Sequence, residues 1–235
     1  MKKIILKYTS ILLSIFLMIP SSQSHEIDKD KIETIIKEFL AKNPDFLKST
    51  LDDYKISLEN TKKQDAIKSL KNINNPGIFQ KQANVTIYEF FDYNCGYCKS
   101  VVKTIMDVLS EDKKINFVFV EFPILSEQSY IAAKAALASK KQNLYNNFHI
   151  SLMKIKGRVD EEKVFSIAKK IGLNIDQLRI DMTNPEVEEQ LMKNREIAKL
   201  LNLNGTPAFI IGDIIYPGAL NSNNLKNIIK KFRES

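Results

Sequence analysis

The chain of 235 residues predicts an α/β fold: a β-α-β unit and a β-β-α unit, separated by a helical insertion and preceded by a helical extension. Three observations predict it. Two β-rich runs, 85–91 and 115–122, flank an amphipathic helical pattern. Residues 126–202 then carry helical periodicity throughout, too long a block for a simple crossover. Two short β runs, 208–211 and 214–216, finally meet at Gly212-Asp213, a hairpin signal, before a closing amphipathic stretch at 223–232.

The N-terminus reads as a signal peptide rather than as part of the fold. Lys2, Lys3 and Lys7 form a basic segment, and 11–19 is apolar apart from Ser14. Pro20 and the small polar residues 21–24 follow, which places cleavage near Ser24. The apolar run falls short of the roughly 20 residues of a membrane span. The alternative is an uncleaved signal that anchors the chain in the membrane. Without the three signal lysines the formal charge of +7 falls by three to +4. That mildly basic balance makes no case for nucleic-acid binding.

Residues 25–75 form the extension. Ile32, Ile35, Ile36, Phe39 and Leu40 follow i, i+3, i+4, i+7, i+8 spacing, and Asp30 with Glu33 resembles a capping box. Asn43-Pro44 starts a second helix carrying Leu47, Leu51, Tyr54 and Leu58. Such a stripe needs a partner, either the parent domain or copies of itself in a homo-oligomer. Asn74-Asn75-Pro76-Gly77 reads as a turn or linker.

The remainder, 76–235, forms the main domain. Its first strand, 85–91, leads through a short turn into a helix whose Cys98, Val101, Val102, Ile105 and Leu109 share one face. The run 115–122 stops at Pro123. Within the insertion, 131–139 is alanine-rich, 159–171 ends at Gly172, 174–182 makes a short helix, and Asn184-Pro185 opens the last one.

Chemistry points to Cys95-Gly96-Tyr97-Cys98, which holds the only two cysteines of the sequence. A disulfide closing so short a loop would staple the fold weakly. Between a strand and a helix, C-x-x-C is the arrangement of thiol redox. Cys95 stands where free N–H groups and the positive end of the helix dipole favour an anion, and Cys98 lies one turn deeper, placed to resolve a mixed disulfide. Half a metal site would need a second Cys pair, and haem attachment would need His where Lys99 stands. No cofactor and no metal is implied.

Other candidates surround the pair. Glu89 is a carboxylate in an apolar strand: buried, its raised pKa would suit proton exchange with the deeper thiol; strand alternation could instead turn it to solvent. Asp92 reads as a surface or capping residue, Glu121 as structural, and His149 as a packing or surface residue. Asn84 and Asn204 open glycosylation triplets that look incidental. Pro207, after Thr206, sits before a strand in a turn compatible with either a cis or a trans bond.

The segment Phe90-Phe91-Asp92-Tyr93-Asn94-Cys95-Gly96-Tyr97-Cys98-Lys99, with Gly205-Thr206-Pro207-Ala208-Phe209, resembles the DsbA family of periplasmic thioredoxin-fold proteins, over 79–232. The resemblance implies a thioredoxin fold, Cys95 as nucleophile, Cys98 as resolving thiol, Glu89 as the buried acid, and Pro207 as a cis proline. Thr206, Pro207 and Tyr97 would face substrate. It further implies disulfide formation in the periplasm, with unfolded or misoxidised exported proteins as substrates and a membrane redox partner that recycles the thiols. The sequence departs from the oxidase pattern, which commonly has Pro-His between the cysteines. Gly-Tyr, with Thr before the proline, is similar to DsbC-type isomerases, and the extension is similar to oligomerising DsbA-like proteins. An oligomeric isomerase or reductase is therefore the alternative, and a thiol-based metal- or partner-binding module the more distant one.

Overall fold

A computed structural model describes residues 28–234, so the expected signal peptide, 1–24, lies outside the described residues. The chain divides between Lys55 and Ile56 into two compact units.

In the first unit, α1 (Lys29–Lys42) is capped by Asp28, whose carboxylate accepts the N–H of Lys31 at 3.2 Å. The cap is thus two residues before the expected Asp30. Asn43 ends α1, and Pro44 opens α2 (Pro44–Asn72). Ile32, Ile35, Ile36, Phe39, Leu47 and Leu51 are all exposed, so the expected stripe lies open to solvent. Phe39 and Phe46 meet edge to face at 5.5 Å.

The second unit contains a five-stranded sheet in the order β1-β3-β2-β4-β5. Strands β2 (Val85–Phe91) and β3 (Ile115–Glu121) run parallel through α3 (Gly96–Glu111). Strand β4 (Ala208–Ile211) pairs antiparallel with β2, and β5 (Ile214–Pro217) with β4. The hairpin between them turns at Gly212, with φ at +62°, where a Cβ would also strike the ring of Phe232. Strand β1 (Gly77–Ile78) adds antiparallel to β3, at a place where the sequence suggested only a linker. Gly77 makes that pairing fit, since a Cβ would fall 2.4 Å from the carbonyl oxygen of Phe117. A two-residue strand has no periodicity to read.

Both faces of the sheet are covered, which explains the nearly continuous apolar strands. One face presents Ile87, Phe91, Phe117, Phe119 and Phe209 to α3, to the closing helix α9 (Ser222–Glu234) and to the insertion. The other presents Phe90, Val118, Val120 and Ile210. There Ala66, Ile67 and Leu70 of α2 pack with Ile197 and Ala198 of the insertion's last helix and with Leu201, which caps it. The compact unit therefore takes in 56–72, which the sequence reading assigned to the extension. Pattern alone could not see this, because α2 changes partners along its length.

The insertion comprises α4 (Glu127–Ala138), a 3-10 turn (Ser139–Gln142), α5 (Tyr145–Met153), α6 (Glu161–Lys170), α7 (Ile175–Met182) and α8 (Pro185–Leu200). Ser126, Asp160, Asn174 and Asn184 each cap a following helix with a side-chain oxygen. Helix α4 buries Ala132, Ala133, Ala135, Ala136 and Ala138 and touches α5, α6, α7 and α8.

Leu70 is fully buried, whereas Leu51 is exposed. Leu70→Ala is expected to cost about 2–5 kcal/mol, and Leu51→Ala within about 0.5 kcal/mol. Urea unfolding followed by circular dichroism checks this; equal effects at the two sites would contradict the assignment of α2's second half to the core.

Candidate active site

Strand β2 ends at Phe91, and three residues turn the chain into α3. All three are anchored. Asp92 is buried, and its carboxylate accepts the N–H groups of Asn94 at 2.7 Å, Ile124 at 2.9 Å and Leu125 at 3.0 Å. Tyr93 is buried with its hydroxyl on Glu121. Asn94 donates to the Ser129 hydroxyl and the Val159 carbonyl, and accepts the N–H of Val159 at 2.7 Å. The turn thereby joins the sheet to the insertion. Asp92 does cap backbone groups, but the expectation of a surface position for it is corrected.

Cys95 is the N-cap of α3, and its sulfur accepts the N–H of Cys98 at 3.3 Å. Its Sγ also lies 3.2 Å from the carbonyl oxygen of Thr206, to which the thiol donates. Two chain segments 111 residues apart thus meet at one sulfur. Both cysteines are free thiols. Cys98 is completely buried, and burial first, then its hydrogen bond with Cys95 and the charge of Glu89, hold its thiol far above the ordinary range. The two thiols are thus placed differently, Cys95 at the helix end with slight exposure and Cys98 one turn deeper with none.

Glu89 lies on the strand face it shares with Ile87 and Phe91, paired in register with Phe119 and Phe209. It is 1% exposed, and its Oε1 has no hydrogen-bond partner. Burial, reinforced by Cys95, pushes its pKa up to about 8. The solvent-facing alternative is excluded. The Thr206–Pro207 peptide bond is cis, Pro207 is buried and Thr206 is half-buried. Tyr97 is 72% exposed, beside the pair but standing free of it.

Sequence reasoning missed the cluster behind this turn. Glu121, at the end of β3, accepts hydrogen bonds from Tyr93 at 2.9 Å and Tyr145 at 2.7 Å, and Tyr93 also contacts His149 Nδ1 at 3.1 Å. His149 is packed among Phe91, Phe119 and Tyr145, and burial lowers its pKa to about 3. Burial also raises Glu121 well above the carboxylate range, against the two phenols that donate to it. The one clue in the sequence was a second acid, Glu121, near the end of the second β-rich run; the structure sets it in register with Phe91.

The raised pKa of Glu89 has a stability consequence with a definite sign. Between about 4.5 and about 8 the unfolded chain has released this proton while the folded chain still holds it, so stability falls as pH rises through that window. Glu89→Gln is expected to remove this part of the slope, on the order of a few kcal/mol between pH 5 and 8. Thermal unfolding across that range measures it; parallel wild-type and variant profiles would contradict a protonated buried Glu89.

The DSBA-like thioredoxin domain model matches residues 86–230. A thioredoxin-like oxidoreductase from Silicibacter pomeroyi is 36% identical, superposes with a TM-score of 0.69, and covers 71% of this chain and 97% of its own. The thiol-disulfide exchange protein alpha-DsbA2 of Wolbachia pipientis is 27% identical at a TM-score of 0.69, over 74% of this chain and 96% of its own. A probable disulfide bond formation protein D of Bacillus anthracis is 27% identical over 163 residues, 63% of this chain and 74% of that protein. Against other curated relatives the chain spans only 22% of their length. Sheet order, thiol pair and matched span agree, and the chain belongs to the DSBA-like thioredoxin domain family.

Proposed function

We propose that this chain is an exported protein thiol-disulfide oxidoreductase acting on folding proteins in the periplasm. The observation that carries the reading is the asymmetry of the two thiols. Cys95 caps a helix beside the Thr206 carbonyl, and Cys98 is buried beside a protonated acid. Starting from the Cys95–Cys98 disulfide, a substrate thiolate attacks the sulfur of Cys95, and the S–S bond electrons leave on Cys98. Cys98 then takes a proton, for which Glu89, still protonated at neutral pH, is the donor. A second substrate thiolate attacks the mixed disulfide on the substrate's sulfur and expels Cys95 as thiolate. Two electrons have then moved from substrate to protein, and a membrane redox partner removes them.

Thr206 and Pro207 would line the approach of the substrate backbone, with exposed Tyr97 at its edge. Cys95→Ser is expected to abolish oxidation of a reduced dithiol peptide, and Cys98→Ser, given a peptide whose cysteine is already held as a mixed disulfide, to retain that peptide on Cys95 by exchange. Non-reducing mass spectrometry reads both. Oxidation by Cys95→Ser at the wild-type rate would sink the assignment.

A second reading, isomerase or reductase, is favoured by the open apolar stripe of the first unit together with Gly96-Tyr97 and Thr206. In that direction the Cys95 thiolate attacks a wrong substrate disulfide, and the stripe joins copies of the chain. Native mass should then exceed one chain, and Ile35→Glu with Phe39→Glu should give a monomer that reshuffles scrambled disulfides at least several-fold more slowly. A monomeric wild type in analytical ultracentrifugation would exclude this reading.

A further inference from the structure

A groove of about 760 Å³ begins at Gly96, the residue after Cys95, and runs between α3 and the end of α5. Its floor is apolar and half-buried, built by Val102 and Met106 from one wall and Ile150 and Ile155 from the other. Its rim is cationic, with Lys99, Lys103, Lys154 and Lys156. Lys103 is paired with Asp107, but among the described residues Lys154 and Lys156 have no acidic partner. The Lys99 ammonium donates to the Gly157 carbonyl at 2.5 Å and so ties the two walls together. That tie leaves little ordering to be done on binding.

Resting on the function proposed above, we infer that this groove selects the substrate: it takes the extended segment flanking the reacting cysteine, and prefers acidic residues next to apolar ones. A polypeptide joined through sulfur to Cys95 must place its neighbouring residues within a few steps of about 3.3 Å each. That reach brings them onto the groove, because Gly96 forms its end. Apolar side chains would cover the floor, and carboxylates would meet the two unpaired lysines. Basic flanks would meet like charge from the same rim, so discrimination has a repulsive component as well as an attractive one.

The test uses reduced full-length protein and two eight-residue peptides, each with one cysteine held as a mixed disulfide with 2-mercaptoethanol. The peptides share flanking leucines and differ only in carrying two Glu or two Lys. In the reaction Cys95 attacks that disulfide, and Cys98 then closes on Cys95, so the peptide and 2-mercaptoethanol both leave as thiols. The acidic peptide is expected to react on the order of tenfold faster at low ionic strength, and the ratio to fall toward one in 0.5–1 M salt, both at roughly the magnitude of a few surface charge contacts. Lys154→Glu with Lys156→Glu is expected to bring the ratio to one or invert it. Lys199→Glu with Lys231→Glu, which changes net charge equally away from the groove, is expected to preserve it. Because each ratio compares two peptides on one protein, imperfect folding of a variant cancels. Equal rates on wild type, or an equal drop in both double variants, would overturn the inference. Failure of wild type to react with the neutral bis(2-hydroxyethyl) disulfide would instead overturn the redox reading beneath it.

Discussion

The carboxylate of Asp92 is the contact on which the rest of this site depends. It gathers three N–H groups from two chain segments, the turn into α3 and the loop leaving β3. Charge-assisted bonds of this kind are roughly twice as strong as neutral ones, and here they are buried. The ends of the two central parallel strands are thereby held in fixed relation, and the first turn of α3 starts from a rigid base. Tyr93 and Asn94 carry the same constraint outward, the first to Glu121 and the second to the insertion.

The position of that constraint explains how the sheet tolerates acids in its interior. Glu89, Asp92 and Glu121 are all buried, at three successive levels of the same parallel pair and the turn beyond it. Each meets the cost differently. Asp92 is satisfied by backbone donors, Glu121 accepts from two phenols although burial still raises its proton affinity, and Glu89 keeps an oxygen unpaired and holds its proton. An unsatisfied buried carboxyl is expensive, and its interaction with a buried thiol is what suggests the proton-donor role proposed above.

Much of this was legible in the sequence, for reasons that differ by element. Helix α3 and the insertion's helices are announced by local signals, an apolar period and a capping side chain such as Asn184 before Pro185. The thiol pair is legible because two cysteines, and no others, stand between strand and helix. Thr206 is legible only through resemblance, since nothing local in Gly205-Thr206-Pro207 says it will meet a sulfur 111 residues earlier. The capping role of Asp92 is legible, but its burial is not, because an acid after a strand resembles any solvated turn residue until its donors arrive from residues 124 and 125. Helix α2 carries one uninterrupted helical pattern, although its early apolar residues are open and its late ones, from Ala66 on, are core. Periodicity reports that a face is apolar and leaves open what covers it.

The alanines of α4 have a consequence of their own. A helix whose buried side is mostly methyl groups lets four neighbouring helices approach its backbone closely, and it leaves little slack between them. Trimming to glycine removes little packing but costs about 0.5–1 kcal/mol of helix stability through the backbone. Enlargement is another matter: one added methylene at Ala132 or Ala135 would wedge apart the helices packed around this axis. The inward side of α4 is thus held near its present size from both directions, glycine loosening the helix itself and any larger side chain parting its neighbours.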